Sequence, residues 1–284
     1  LVLAVDIGGT KLAAGLVTGE GAVVARAQAP TPKGTDAEGL FGALCAVIAA
    51  VEGDGPVDVV GVGCGGPMSP GGERVSPLNI PAWRDFPLRE RLAATTGLPV
   101  HVDNDAKALA LGEGWVGAAA GERNYVGMVV STGIGGGLVV DGRLLDGASG
   151  NAGHIGHVIV EPEGRRCACG ARGCLEAEAS GTAIAAICGR PAAEAPPEVV
   201  TRAGRLVGRA VASVVQLCDV RLVVVSGSVA LGFGTPFFAA AQAELESRAR
   251  LAFARGARIV PGALGADGPL VGAAAVGLRA VGAL

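Results

Sequence analysis

Apolar runs and glycine-rich polar turns alternate along the whole chain. The first apolar run, Leu1–Val5, reads as a buried strand, and Leu12–Val17 reads as a second. Between them stands the turn Asp6-Ile7-Gly8-Gly9-Thr10-Lys11. The layout returns as Val126–Val130, then Ser131-Thr132-Gly133-Ile134-Gly135-Gly136-Gly137, then Leu138–Val140. This weak internal repeat predicts two similar α/β halves, each with a glycine-rich hairpin at its mouth, facing one another across a cleft. Val57–Val62 reads as a buried strand leading into the loop Gly63-Cys64-Gly65-Gly66-Pro67. Pro87 opens a helix through Leu92 that Gly97 closes. Leu98–Val102 reads as a short strand, after which Asp103 or Asn104 caps a helix running through Ala110. Leu206–Leu217 has helical spacing of apolar residues, Leu222–Val225 reads as a buried strand ending in Ser226-Gly227-Ser228, and Arg190–Pro197 reads as a loop. Strands and helices in this order give an α/β protein.

Composition narrows the picture. With 284 residues, half of them hydrophobic, the chain can build one large domain or two ordinary ones. Aromatics make up 3% and glycines number 48, so the core must come from Val, Leu, Ile and Ala between tight turns. Leu222–Ala243 carries no charge over 22 residues, but Gly227, Gly232, Gly234 and Pro236 interrupt it; strand, turn and helix fit better than a membrane span. The net charge of -3 comes with no basic stripe, which argues against a nucleic-acid partner. No secretory leader is read, and a soluble, cytoplasmic protein is expected.

The most specific chemistry lies in His157, Cys167, Cys169 and Cys174, one imidazole and three thiols within eighteen residues. That is the ligand set of a closed, tetrahedral structural zinc site. A disulfide framework is disfavoured, because seven cysteines is odd and Cys45, Cys64, Cys188 and Cys218 show no pairing pattern. In the turn Asp6–Lys11, the backbone N–H groups of Gly8 and Gly9 can approach an anion, with Thr10 adding a hydroxyl and Lys11 a charge. The spacing is not that of a Walker A loop. One such turn alone reads as an ordinary hairpin; the second, at Thr132–Gly137, favours a nucleotide. Asp105, just after a strand and in the first turn of a helix, could act as a general base, whereas Asp103 reads as a helix cap only. His154 would otherwise be an exposed loop residue, and His101 a plain strand residue.

Taken together these motifs resemble the ROK family, named for repressors, open reading frames and kinases. Asp6–Lys11 resembles its first phosphate motif and Ser131–Gly137 its second. Asn104-Asp105-Ala106 resembles its catalytic segment, and Gly153–His157 with Cys167–Glu176 resembles its zinc and sugar signature. The resemblance implies an actin-like (RNase H-like) ATPase fold of two lobes with a cleft between them. Residues 1–115, completed by a C-terminal helix over 270–284, would form the small lobe, and residues 116–269 the large lobe with the zinc loop. It further implies transfer of the γ-phosphate of ATP, with Mg2+, to a hexose hydroxyl, with Asp105 as the base. Gly65, Gly66, Asn79, Asn104, Asp105, His154, His157 and Glu176 would meet the sugar. Gly8, Gly9, Thr10, Lys11, Thr132 and Gly133 would surround phosphates, and Gly227 would lie near adenosine. His157, Cys167, Cys169 and Cys174 would hold structural Zn2+. A homodimer, or a dimer of dimers, is implied as well.

Three positions depart from the family pattern. His154 stands where Glu is frequent, Lys107 where an Asn commonly follows the catalytic segment, and Ser226-Gly227-Ser228 where two glycines are usual. Glucose, through its 6-OH, leads as the acceptor because Asn79-Ile80-Pro81-Ala82-Trp83 resembles the glucokinase branch. N-acetylmannosamine or N-acetylglucosamine is the alternative, since His154 also occurs in members resembling N-acetylmannosamine kinases. A non-catalytic sugar-sensing regulator is a further alternative. Against it, the phosphate motif begins at Asp6, which would leave no room for a preceding helix-turn-helix, and Asp105 is retained.

Overall fold

The computed structural model describes residues 1–53 and 55–284. In chain order the strands are β1 (Val2–Ile7), β2 (Lys11–Val17), β3 (Val23–Pro30), β4 (Val59–Cys64), β5 (Val100–Asn104), β6 (Tyr125–Val130), β7 (Ile134–Val140), β8 (Arg143–Leu144), β9 (Leu222–Ser226) and β10 (Arg258–Pro261). The helices are α1 (Ala37–Ala49), α2 (Leu88–Thr96), α3 (Asp105–Val116), α4 (Leu175–Ala179), α5 (Gly181–Cys188), α6 (Pro197–Cys218), α7 (Ser228–Phe233), α8 (Thr235–Arg248) and α9 (Gly268–Ala280). The chain divides into two compact units. The first comprises Leu1–Gly117, Asp146–Ala152 and Ala266–Leu284, and the second Ala118–Leu145 and Gly153–Gly265.

Each unit is built on a five-stranded sheet among the described residues, ordered β3-β2-β1-β4-β5 in the first and β8-β7-β6-β9-β10 in the second. The hydrogen-bonding directions repeat too. β1 pairs antiparallel with β2 and parallel with β4, as β6 pairs antiparallel with β7 and parallel with β9. The repeat read from two hairpins therefore extends to whole sheets. Strand β4 is buried at all six positions, the signature of a parallel strand covered on both faces.

In the first unit one face of the sheet packs on α1, α2 and a small aromatic group. Trp83 and Phe86 stack with centroids 4.6 Å apart, and the indole N–H donates to the Ala37 carbonyl. The other face meets α9, whose Leu270, Ala273 and Ala274 pack on Val2, Ala4 and Val59. α9 also packs closely on α3. In the second unit α6 and α8 pack together, and Val207, Val211 and Phe237 join Val126, Val223 and Val225 in one core.

Several boundaries differ from the sequence reading for local reasons. The hairpin turns are shorter than the glycine runs: β7 already begins at Ile134, so Gly135–Gly137 are strand residues paired with β6. Helix α3 runs on to Val116, because its small residues lie buried under α9. α6 begins at Pro197 rather than near Leu206, since Pro fits the first helical turn, where its missing N–H costs nothing. Asp103 is not the cap of α3. Asn104 is, its Oδ1 accepting from Ala106 N at 3.0 Å and Lys107 N at 3.4 Å. Among the described residues no helix is long and apolar enough to cross a membrane; Leu222–Ala243 folds as β9, α7 and most of α8.

Candidate active site

In the first unit the turn Gly8–Thr10 joins β1 to β2. Gly8 N donates to the Lys11 carbonyl at 2.9 Å, and the end of β3 braces the turn. Thr31 Oγ1 donates to the Gly8 carbonyl at 2.6 Å and Thr31 N to the Thr10 carbonyl at 3.1 Å. Thr10 and Lys11 are exposed. Asn79 meets two of the glycine loops at once. A Cβ on Gly9 would come within 2.9 Å of the Asn79 carbonyl oxygen, and one on Gly65 within 3.2 Å of Asn79 Oδ1. Leu78 N donates to the Gly66 carbonyl at 3.1 Å, which ties the Asn79 loop down. Gly8, Gly9, Gly65, Gly66 and Asn79 thus converge at the C-terminal ends of β1 and β4.

Asp105 starts α3 beside them. Its backbone lies 3.5 Å from where a Gly63 Cβ would stand, and Asp6 Oδ1 lies 3.8 Å from the same point. Burial pushes the Asp6 carboxyl up to about 7; the Asp105 charge adds to this and Lys11 opposes it. Two neighbouring carboxylates, one half-buried in β1, make a site that a divalent cation would relieve, and oxygen donors suit Mg2+. Asp6 stands in the turn motif with no role expected of it from sequence; its place two residues before the Gly8-Gly9 pair is the available signal.

In the second unit the turn Ser131–Gly133 joins β6 to β7. It is braced by α4 and α5. Gly181 N donates to the Ser131 carbonyl at 2.8 Å, Thr182 Oγ1 to the Thr132 carbonyl at 3.0 Å, and Ile134 N to Glu176 Oε2 at 2.9 Å. Glu176 therefore sits against Gly133, where a Cβ would come 2.9 Å from its Oε2. Gly227 follows β9 with φ of 100°, and a Cβ there would meet the Val130 carbonyl oxygen at 2.4 Å, so no other residue fits. Beyond it Ser228 Oγ lies 3.0 Å from Ser131 Oγ. An open hollow lined by Thr132, Thr182, Ala185, Ser228, Val229 and Phe233 occupies this side of the unit. Ser228 adjoins Gly227, where adenosine was expected; Thr182 and Phe233 carry no such signal, because the docking of α5 and α7 beside the β6–β7 turn leaves no short-range trace in the sequence.

The four soft donors do come together. His157, Cys167, Cys169 and Cys174 offer ligand atoms all within 4.8 Å of one another. Cys167 Sγ lies 3.7 Å from His157 Nδ1, and Cys169 Sγ 3.7 Å from Cys174 Sγ. A tetrahedral zinc with Zn–S bonds of about 2.3 Å requires S···S separations of about 3.8 Å, so the set fits the ion. The loop is closed by strand-like contacts: Val160 N donates to the Gly173 carbonyl at 2.8 Å and Leu175 N to the Val158 carbonyl at 2.9 Å. Cys174 is the N-cap position of α4, which carries Glu176, so the cluster and the β6–β7 turn are linked through two residues. Glu178, 2% exposed, accepts from Arg165 N at 2.6 Å and pairs with Arg202, anchoring the loop from below. His154 is exposed and is not one of the four donors; its ring stacks on that of His157 with centroids 5.9 Å apart.

The ROK family model matches residues 2–279. A glucokinase from Thermotoga maritima is 41% identical over 185 residues, spanning 64% of this chain and 58% of that protein. An N-acetylmannosamine kinase from Escherichia fergusonii is 37% identical over 248 residues, spanning 82% of this chain and 84% of that one. The crystal structure of a ROK family glucokinase from Streptomyces griseus, in complex with glucose and AMPPNP, superposes with a TM-score of 0.86 at 30% identity, covering 98% of this chain and 99% of that one. By sequence across nearly its whole length, and by its actin-like ATPase fold, the chain belongs to the ROK family.

Proposed function

We propose that the chain is an ATP-dependent hexose kinase that transfers the γ-phosphate to a sugar hydroxyl, with the 6-OH of glucose favoured. The observation that carries the reading is Asp105 at the start of α3, beside half-buried Asp6 and the braced turn Gly8–Thr10. Phosphoryl transfer needs positioning and charge neutralisation more than covalent chemistry, and these residues offer both. Asp105 would take the proton of the acceptor hydroxyl as its oxygen attacks phosphorus, a role worth roughly 10²–10⁴ in rate. Asn104, Gly65, Gly66, Asn79, His154, His157 and Glu176 would hold sugar hydroxyls. Gly8, Gly9, Thr10, Lys11, Thr132 and Gly133 would surround phosphates. The hollow beside Gly227 would take the adenosine, with Phe233 and Val229 as apolar contacts and Thr182 and Ser228 as hydroxyl contacts.

Mg2+, arriving with ATP and held near Asp6, would neutralise charge on the transferring phosphate. Zn2+ held by His157, Cys167, Cys169 and Cys174 would be structural, since protein ligands fill all four positions. Its neighbours, His157 Nε2 and Glu176, would then be presented to the sugar at fixed angles.

Domain organisation follows the same reading: residues 1–115 with the C-terminal helix as the small lobe and 116–269 as the large one, except that Asp146–Ala152 groups with the first unit. The assembly would be a homodimer or a dimer of dimers. N-acetylmannosamine is the second acceptor, favoured by His154 and by the relatives that carry that activity in their names. A coupled ADP-release assay with ATP and Mg2+ against glucose, mannose, N-acetylglucosamine and N-acetylmannosamine tests the proposal. Turnover fastest on glucose is expected; binding of sugars without turnover on any would point to another phosphate donor or to a sensor. A His154→Glu variant with unchanged preference would remove His154 from sugar selection.

A further inference from the structure

Lys107 lies in the first turn of α3 with its side chain 2% exposed. A buried ammonium costs several kcal/mol in lost hydration unless its donors are met. Here each of its three donors has one acceptor: Asp103 Oδ1 at 2.9 Å, Asp146 Oδ1 at 2.9 Å and the Gly150 carbonyl oxygen at 3.2 Å. The head group is therefore saturated and held from three directions.

Those acceptors come from two places in the chain. Asp103 is in β5. Asp146 and Gly150 belong to Asp146–Ala152, a segment of the first unit whose sequence neighbours on both sides belong to the second. The same segment is fixed elsewhere within the first unit. Arg279 of α9 reaches Asp146 Oδ2 at 3.5 Å, while Asn151 Nδ2 donates to the Met68 carbonyl at 3.1 Å and Asn151 Oδ1 accepts from Met68 N at 3.3 Å. The Asp103–Lys107 pair spans Asn104, Asp105 and Ala106. Inside that span Asn104 caps the helix and Asp105 Oδ1 accepts from Ala106 N at 2.8 Å. The turn that presents Asp105 is thus closed by an ion pair across its two ends, and that ion pair is itself anchored to Asp146–Ala152.

We propose that Lys107 is a positioning residue for phosphoryl transfer: by joining Asp103 to Asp146 and Gly150 it sets the direction in which the first turn of α3 aims Asp105, without touching substrate. Stability alone is a poor reason for such a cluster, because well-packed apolar replacements of buried ion groups are often neutral or stabilising. Fixed geometry is what the cluster supplies, and misplacement of about 1 Å can cost on the order of 10² in rate.

The inference rests on the kinase reading, so wild type and Asp105→Asn are assayed first. No phosphate transfer by wild type to any hexose overturns both. With wild type active, Lys107→Met and the charge-balanced Lys107→Met/Asp103→Asn pair are compared at a temperature well below each melting point. A fall in kcat of about 10- to 100-fold, with KM for ATP within about threefold of wild type, is expected for both. A purely structural role would lower the melting temperature and leave kcat of the folded fraction unchanged; that result overturns the inference alone. Should Lys107→Met not fold, Asp146→Asn carries the test, since it keeps an oxygen acceptor and removes one charge. A kcat reduced about threefold or more supports the inference, and wild-type kcat overturns it.

Discussion

The β1–β2 turn and the β6–β7 turn hold equivalent places in two sheets of the same strand order, yet they are built for different work. The first is braced by Thr31, just past the end of β3, and stands beside a half-buried carboxyl, Asp6, next to Asp105. The second follows β6, which carries no charged residue, and is braced by two helices, α4 and α5, the former leading directly out of the four-donor cluster. One scaffold thus keeps charge chemistry beside its turn, and the other keeps rigidity. Duplicated topology fixes where a glycine turn and its flanking strands go; what crosses behind the turn decides its chemistry.

The largest effect should come from the charged side. Asp105→Asn is expected to lower kcat about 10²–10⁴-fold with little change in melting temperature, read from initial rates and a thermal scan. A loss of stability in place of a loss of rate would assign Asp105 to the fold. On the rigid side, Cys174→Ser or a strong chelator should release one equivalent of zinc and destabilise the loop by several kcal/mol, because the loop has few apolar contacts of its own. Hydrogen exchange should then rise over residues 157–174 and at Ile134, while β1, β2 and α3 keep their protection. Uniform loosening of both units would erase the contrast.

Gly227→Ala comes next. The new Cβ would meet the Val130 carbonyl oxygen at 2.4 Å in a backbone with φ of 100°. A cost of about 1–3 kcal/mol and a raised KM for ATP are expected; unchanged affinity would detach the Ser228–Phe233 hollow from the nucleotide.

The last effect is a pH dependence. In the metal-free protein Asp6 has a folded pKa of about 7 against 3.8 for the free group. Its protonated form favours folding. That contribution is complete below the lower value and is lost as pH rises through about 7. Asp6→Asn should therefore gain stability relative to wild type between pH 4 and 8, by at most about 4 kcal/mol for a three-unit shift. Urea titrations at several pH values check it, and parallel curves for the two proteins would show that Asp6 ionises normally.

Much of this was legible in the sequence, for identifiable reasons. The hairpins announced themselves because a buried strand, a glycine turn and a second strand are contiguous, and the four metal donors because their spacing is short. Gly97 was read as a helix end, and it sits there in the left-handed conformation. What escaped the sequence depends on distant partners. Asp103 read as a cap because its i,i+4 spacing to Lys107 does not by itself show a buried pair, and Asp146, 39 residues beyond Lys107, completes it only in the fold. Asp6 looked like one more turn residue, since its high pKa comes from burial between β2 and β4 and from Asp105. The hollow beside Gly227 needed α5 to dock on the β6–β7 turn, an event of tertiary packing that no periodicity encodes.

The most direct test is the rate of ADP release by wild type and by Asp105→Asn, with ATP, Mg2+ and glucose, at matched folded concentration. The account expects wild-type turnover on glucose and a loss of at least about a hundredfold in the variant, with glucose binding retained. Equal rates in the two proteins, or glucose binding with no ADP release by wild type, would contradict it.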